Sequence, residues 1–533
     1  MKPQALTPVW AFCLLLGTAP TAWAAAGSSA APWLEAESAS MEASPETGDK
    51  KADDEKHDGH GDEKHDGHDG EHAENHGDGP GKKGHGKKGH GGGHGHGSAL
   101  SDVAKPLDIE GMPERPKPLL ELGEPFLGTG TLKPGIQLPT GAVWQPAMLV
   151  FGNWRTAVQS FDADNGGGRI TEVATRLDLF ANLSLSGSER LVLGVRALDG
   201  MGEFTSYFLE HPDPSLDGEF RDVTDADIEI LFFEGDFGEI FPNLDRDDFG
   251  STDIGFSVGR QNLLFQEGLL MNDNVDGVGF TRNTLLPKGT SNFRSTFFYG
   301  WGDVNTSAFD ERDARLFALL TSTDFLKSTV DADVAYVQAD DLTGDLVVAG
   351  VSAVQRIGAM NSAFRVLGSH ALDEENAFSS DGYLLFSELS WVPHGTHDLV
   401  YVNNFLAVDD FVPAARGVGG AGGGPLGRAG INFASADLGS FDAPLSNRAS
   451  DVFGGAFGYQ RFFNHTRQQI LMELGYRIGT SNEQLDSYAA TVRYQSAYGK
   501  HTVLVLDGFV GRQETLTGNE VPFGGRIELL FKF

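Results

Sequence analysis

From about residue 128 to Phe533 the chain is a succession of short segments in which apolar and polar residues alternate, parted by turns rich in Gly, Asp and Asn. A period of two places every apolar side chain of a segment on one face. About eighteen segments can be marked, near 149–158, 173–186, 190–199, 226–234, 254–262, 275–283, 292–301, 313–321, 329–338, 345–355, 360–369, 382–392, 397–408, 451–461, 468–479, 487–497, 501–511 and 524–533. Most run about nine to twelve residues, the length a tilted strand needs to cross a bilayer and longer than the usual strand of a soluble sheet. No stretch beyond the N-terminus nears the roughly 18 consecutive apolar residues of a membrane helix. Lipid admits only helices and closed barrels, because every backbone group must be satisfied within the protein. The expected fold is therefore all-β, an antiparallel transmembrane β-barrel of about 18 strands, with 16 left open. Its last strand, GRIELLFKF, sets Ile527, Leu529, Phe531 and Phe533 against Arg526, Glu528 and Lys532 and ends on an aromatic ring.

The N-terminus predicts export. Lys2 precedes the apolar run Val9–Gly17, and Ala22-Trp23-Ala24 is a small-x-small cleavage signal, so 1–24 reads as a signal peptide. The single cysteine, Cys13, lies inside it, leaving no thiol for disulfides or clusters. Residues 25–127 form a second part, rich in His, Asp, Gly and Lys, whose composition excludes a packed core and predicts disorder in the periplasm. It repeats DEKHDGHG and then GKKGH, and it holds His57, His60, His65, His68, His72, His76, His85, His90, His94 and His96. Imidazole beside carboxylate on a Gly-rich backbone is a loose chelator for Zn, Cu, Ni or Co, and equally a hydrophilic spacer. No cofactor is required by either reading. Residues 128–533 are the barrel.

If both barrel ends lie in the periplasm, connections after odd strands should be long and those after even strands short. The longest, 200–225 and 409–450, follow strands three and thirteen; the short SGSE, RIGA and YGK turns follow strands two, ten and sixteen. The segment 235–252 is the exception. Tyr299, Trp301, Trp391, Tyr401, Tyr488, Phe531 and Phe533 sit near strand ends and suit interfacial girdles. Extending the alternation, the residues expected to line a pore include Arg176, Asp178, Arg196, Arg294, Arg315, Asp331, Asp333, Arg365, Glu388, Glu473, Arg477, Arg493, Arg526 and Glu528. With Arg190, Asp227, Glu229 and Asp507 of the same inward set added, the two signs balance, nine against nine. The net charge of −35 must then sit mainly in loops and in the N-terminal segment. A mixed-sign wall gives a transverse field with little preference for one ion sign.

The stretch FSVGRQNLLFQEGLLMNDNVDGVGF, Phe256 to Phe280, resembles the G-R-Q … D-G-V pattern of the alginate-export family of eighteen-stranded outer-membrane channels. In that family the linking segment folds toward the channel, which implies a constriction at 262–274 with Arg260, Glu267, Asp273 and Asp276 as its candidates. An exporter of an anionic polysaccharide is expected to carry excess positive charge in its bore, and this wall is balanced.

Three smaller signals complete the reading. Asp162-Ala163-Asp164-Asn165-Gly166 opens like a Ca²⁺ loop, but its twelfth position is Val173 instead of Glu. Asp245, Asp247 and Asp248 read as a solvated turn, and GVGGAGGGPLG, Gly417 to Gly427, as a flexible extracellular loop. The barrel histidines, His211, His370, His394, His397, His465 and His501, lack a Gly-x-Ser-x-Gly context, and no enzyme is expected. The expectation is a porin for passive diffusion of small hydrophilic solutes, in contact with outer-membrane lipid, without nucleic acid, compatible with a homo-oligomer and preceded by a metal-binding leader. A polysaccharide-export channel and a structural or adhesive barrel are the alternatives.

Overall fold

A computed structural model describes residues 117–123 and 135–533, apart from 164–167, 201–202, 245–249, 251, 307–313, 340–342, 374, 377, 416–423, 482–483 and 516–517. The signal peptide, the ten leader histidines, most of the Asp162–Gly166 motif, the Asp245–Asp248 cluster and 417–423 of the Gly-rich loop lie outside the described residues.

Eighteen strands form one antiparallel sheet closed on itself. They are β1 (Ala147–Ala163), β2 (Gly168–Ser184), β3 (Arg190–Arg196), β4 (Asp227–Asp236), β5 (Gly255–Phe265), β6 (Met271–Leu285), β7 (Asn292–Gly302), β8 (Arg315–Asp324), β9 (Ser328–Gln338), β10 (Leu346–Ile357), β11 (Met360–Ala371), β12 (Gly382–Trp391), β13 (Leu399–Phe411), β14 (Ala449–Phe463), β15 (Gln468–Gly479), β16 (Ser487–Tyr498), β17 (Thr502–Thr515) and β18 (Phe523–Lys532). Each pairs with its sequence neighbour, and β18 closes on β1 in register from Gly524 opposite Phe161 to Lys532 opposite Asn153. The count is eighteen, and every segment marked from the alternation corresponds to one of these strands.

Closure leaves no sheet edge, and the pleat then sorts side chains between two unlike surroundings. On the outer face Leu319, Val351, Val366, Leu474 and Ile527 are 45%, 51%, 56%, 60% and 57% exposed. A band of that kind is stable only against an apolar solvent. On the inner face Arg176, Arg365, Glu473, Arg526 and Glu528 are buried.

The rim where β1 begins and β18 ends is here the near rim. Most of its connections are short, such as Gly358–Ala359 and Gly499–His501. The exception, 237–254, contains no further barrel strand among the described residues. It opens with a one-turn helix, α1 (Phe237–Ile240), capped by the Asp236 carboxylate, which accepts from the Gly238 and Glu239 N–H groups. At the far rim, strand Glu203–Glu210 of the long connection after β3 extends the sheet by pairing with β2, and Phe220–Arg221 pairs with it in turn.

Candidate functional site: the bore and its insertion

The described residues of the second long far-rim connection, 412–415 and 424–448, fold back into the barrel, which corrects the expectation that 409–450 is an extracellular loop. They are held at each step by the inner wall. The Ala414 N–H donates to the Leu270 carbonyl at 2.8 Å, which ties the insertion to the β5–β6 turn. Arg428 donates to Glu388 at 2.9 Å, and Glu388 is also paired with Arg365. The Glu473 carboxylate accepts from the Ile431 N–H at 3.0 Å, the Asn432 N–H at 2.7 Å, the Asn432 amide at 2.8 Å and the Tyr401 hydroxyl. Thr491 donates to the Asn432 side-chain oxygen at 2.6 Å. Further along, Arg155 donates to the Ala436 and Asp437 carbonyls at 3.0 and 3.1 Å, and Arg176 pairs with the Asp437 carboxylate. Gln159 donates to the Leu438 carbonyl at 3.0 Å, and the Ser440 N–H donates to Glu172.

Two glycines make these approaches sterically feasible. A Cβ on Gly430 would overlap the Glu473 carboxylate, and one on Gly439, whose φ is +63°, would overlap Gln159 and Ala174.

The two sides of the wall are chemically distinct. Along β5–β14 the far-rim half of the bore is filled by a hydrophobic core. Wall residues Leu316, Val337, Leu346, Leu384 and Phe405 pack there against Leu269 and Leu270 of the β5–β6 turn and Leu426, Phe433 and Leu445 of the insertion. Along β16–β3 the wall is instead a chain of alternating charges. Arg493 pairs with Asp507 at 2.7 Å, Asp507 with Arg526 at 2.6 Å, Arg526 with Glu528 at 3.0 Å, and Glu528 with Arg155 at 2.7 Å. Beyond the Asp437 junction, Arg176 meets Asp178 at 3.1 Å, and Arg196 meets Asp178 at 3.3 Å and Glu229 at 3.4 Å. Buried guanidiniums and carboxylates are tolerable only when paired in this way, since each ion removed from water alone costs several kcal/mol.

Of the residues expected on the inner wall, Arg176, Asp178, Arg196, Arg294, Asp331, Asp333, Arg365, Glu388, Glu473, Arg477, Arg493, Arg526 and Glu528 share the inner face in the pairing register. Arg315 does not. Leu316 and Ala318 take the inner positions of β8, buried in the hydrophobic core, so Arg315 shares the outer face with Phe317 and Leu319. Arg260 and Asp276 are likewise on the outer face, opposite each other and paired at 3.1 Å, with Arg260 also engaging Asp303. Asp273 points inward and is buried, accepting from the Asn305 N–H and amide at 2.8 and 2.7 Å. Glu267 sits in the β5–β6 turn, 3.6 Å from Arg428. The narrowing is thus built chiefly by 412–448, with the 266–270 turn beside it. Tyr401, expected in a girdle, is turned inward onto Glu473.

The alternation did not single out Arg155, Arg428, Asn432 or Asp437. Arg155 continues the inward series of β1, but the other three lie on the insertion, where no period exists.

Charge is distributed unequally between the rims. Apart from 412–448, the far-rim connections contain 24 carboxylates and two basic side chains, Arg221 and Arg312, whereas the near-rim connections contain seven carboxylates and five basic side chains. The insertion has two carboxylates and three arginines. One far-rim carboxyl and one on the insertion are displaced from their ordinary values. Burial pushes Asp199 up to about 6 despite Arg176 and Arg196, and desolvation by the crowding wall of an adjoining crevice raises Asp442 although its side chain still reaches solvent.

No family model and no curated protein matches the chain, so the resemblance of 256–280 to the alginate-export family finds no support. Solved structures to which the chain is similar include a BenF-like porin from Pseudomonas fluorescens Pf-5, at TM-score 0.49 and 9% identity over 72% of this chain and 98% of that one. Pseudomonas aeruginosa OpdK with vanillate follows at 0.48 and 10%, over 72% and 98%. P. aeruginosa OccK11 (OpdR) gives 0.45 and 10%, over 73% and 96%.

Proposed function

We infer that this chain is an outer-membrane channel through which small hydrophilic solutes diffuse passively, with the far rim facing outside. The observation that carries the reading is a closed eighteen-stranded wall, apolar outside and charged inside, with an insertion fastened across its bore. A barrel of this size needs narrowing to discriminate among solutes. At ~4.8 Å between strands and ~40° tilt its backbone radius is about 18 Å, which leaves a bore of roughly 20–25 Å between side chains before the insertion occupies it. A solute must pass beside 425–445, along the charged arc, because the opposite arc is packed with apolar side chains over its far-rim half.

The acidic far rim concentrates cations ahead of this passage and repels small anions, an effect that shrinks as salt rises. A modest cation preference at low salt is expected. The histidine-rich leader would add loose divalent-metal binding on the near side.

Planar-bilayer recording of the refolded protein tests the reading. Discrete open steps, with a cation preference that fades between about 0.1 and 1 M KCl, would support it. A barrel that inserts without any open-state current would sink it and favour a structural role.

A further inference from the structure

Most carboxylates of the wall that face the insertion are matched among the described residues. Asp178, Glu388, Asp437, Asp507 and Glu528 each pair with a guanidinium, Glu473 has four donors, and Glu172 is held by Gln159 and the Ser440 N–H. Asp442, on the insertion, accepts one hydrogen bond among the described residues, from the adjacent Ala443 N–H at 2.7 Å, and has no cationic partner there. It is exposed, and it borders a crevice of about 170 Å³ between the insertion and the far-rim ends of β1, β2 and β17. Phe161, Ile170, Phe509 and Pro522 form its apolar side, and Ser440, Asp162 and Asp442 its polar side. Phe441 packs edge-on against both Phe161 and Phe509, at 5.2 and 5.7 Å between centroids, and so fixes those rings. The other carboxylate at the crevice, Asp162, is already engaged by Arg169 at 2.5 Å and by the Phe523 N–H at 3.0 Å. Arg493 lies across a smaller neighbouring cavity but is locked to Asp507.

We propose that this crevice is a binding site for a small organic cation, a primary ammonium bearing an apolar or aromatic group, on its way through the bore. Asp442 takes the ammonium, and Phe161, Ile170 and Phe509 take the apolar body. The proposal rests on the channel reading and gives it a solute class. The volume equals that of about five to six waters, room for a compact amine and too little for an oligosaccharide. A carboxylate at the edge of a low-dielectric crevice attracts an ammonium more strongly than one in open water, and adjacent aromatic faces add cation–π attraction. The acidic far rim delivers the same sign of charge to this place. A divalent metal suits the site less well, because Asp162 is taken by Arg169 and Asp442 alone supplies too few oxygen ligands.

Benzylammonium and benzoate are the probes, applied to the full refolded chain by titration calorimetry and as blockers of single-channel current. Benzylammonium should bind and interrupt the current, and benzoate should bind at least tenfold more weakly. Asp442→Asn should weaken benzylammonium at least tenfold with the KCl step nearly unchanged, and Asp442→Glu should restore much of the affinity. Equal binding of the two probes, or benzylammonium affinity unmoved by Asp442→Asn, overturns the proposal. So does displacement of benzylammonium by micromolar Ca²⁺, which would mark a metal site. Calorimetry separates the two readings: Asp442-dependent binding without any current would sustain the site and defeat the channel.

Discussion

Glu473→Ala is the sharpest test of how the insertion is held. The substitution removes an acceptor shared by the Ile431 and Asn432 N–H groups, the Asn432 amide and the Tyr401 hydroxyl, all of them buried. Each donor left without a partner costs about 1–3 kcal/mol, and water entering the vacated space recovers part of that, so a net loss of about 3–5 kcal/mol is expected. Because the wall strands keep their ladder hydrogen bonds, the loss should fall on insertion docking and leave the barrel closed. The remaining ties, Arg155, Arg176, Gln159 and Arg428, flank the break on both sides. Residues 429–434 should therefore loosen between them. Glu473→Gln keeps the shape and one acceptor, and it should lose only about 1–2 kcal/mol. The assays are limited proteolysis of the insertion in refolded vesicles and single-channel conductance. Faster cleavage within 425–445 and larger or noisier steps, graded Ala over Gln over wild type, are the expected outcome. An unchanged cleavage rate together with an unchanged step size for Glu473→Ala would refute the reasoning, since the insertion would then not depend on this contact.

Other predictions address the wall, the far rim and the leader. Val351→Arg, on the outer face opposite Val366, should cost about 2–4 kcal/mol in urea-titrated refolding into vesicles. Asp199 has a folded-state pKa of about 6, above its ordinary 3.8, so the folded state binds its proton more tightly. Its penalty is absent below about pH 4, develops between pH 4 and 6 and is full above, reaching about 3 kcal/mol. Asp199→Asn should therefore slow proteolysis of 197–226 at pH 8 and leave it nearly unchanged at pH 4. Asp442, also raised, should give benzylammonium binding that weakens as pH falls through its carboxyl range, a dependence Asp442→Asn abolishes. Deleting 50–97 should lower zinc binding measured by calorimetry while leaving single-channel conductance unchanged.

How far the alternation could be read depended on what covers the inside of each strand. In β15 to β18 and in β1 and β2, inner positions such as Glu473, Arg493, Asp507, Arg526 and Asp178 are polar, and the polar-in, apolar-out rule assigns the faces correctly. In β8 it fails, and Arg315 is assigned to the bore although it faces outward; Arg260 and Asp276 are placed there by the resemblance of 256–280, not by the alternation. In β5, β6 and β8 the inner positions are Leu263, Phe265, Val275, Leu316 and Ala318, because a hydrophobic core fills that side. The misplaced Arg315 and the unforeseen insertion therefore have one cause. An internal segment that packs by shape has no period of its own, so 412–448, with its run of glycines, resembles an external loop when read alone. Its trace lies instead in the strands it touches. Leu384 and Phe386 of β12 oppose Tyr383 and Leu385, making that strand apolar on both faces at its far-rim end, while Glu388 and Ser390 restore polarity below. The same holds for Phe405 and Ala407 of β13, above Asn403. A transmembrane strand that is greasy inside over half its length would leave that half facing water in an empty bore, at about 25 cal/mol per Å² of apolar surface. Such strands require an apolar occupant, and 412–448, the longest connection, is long enough to supply it.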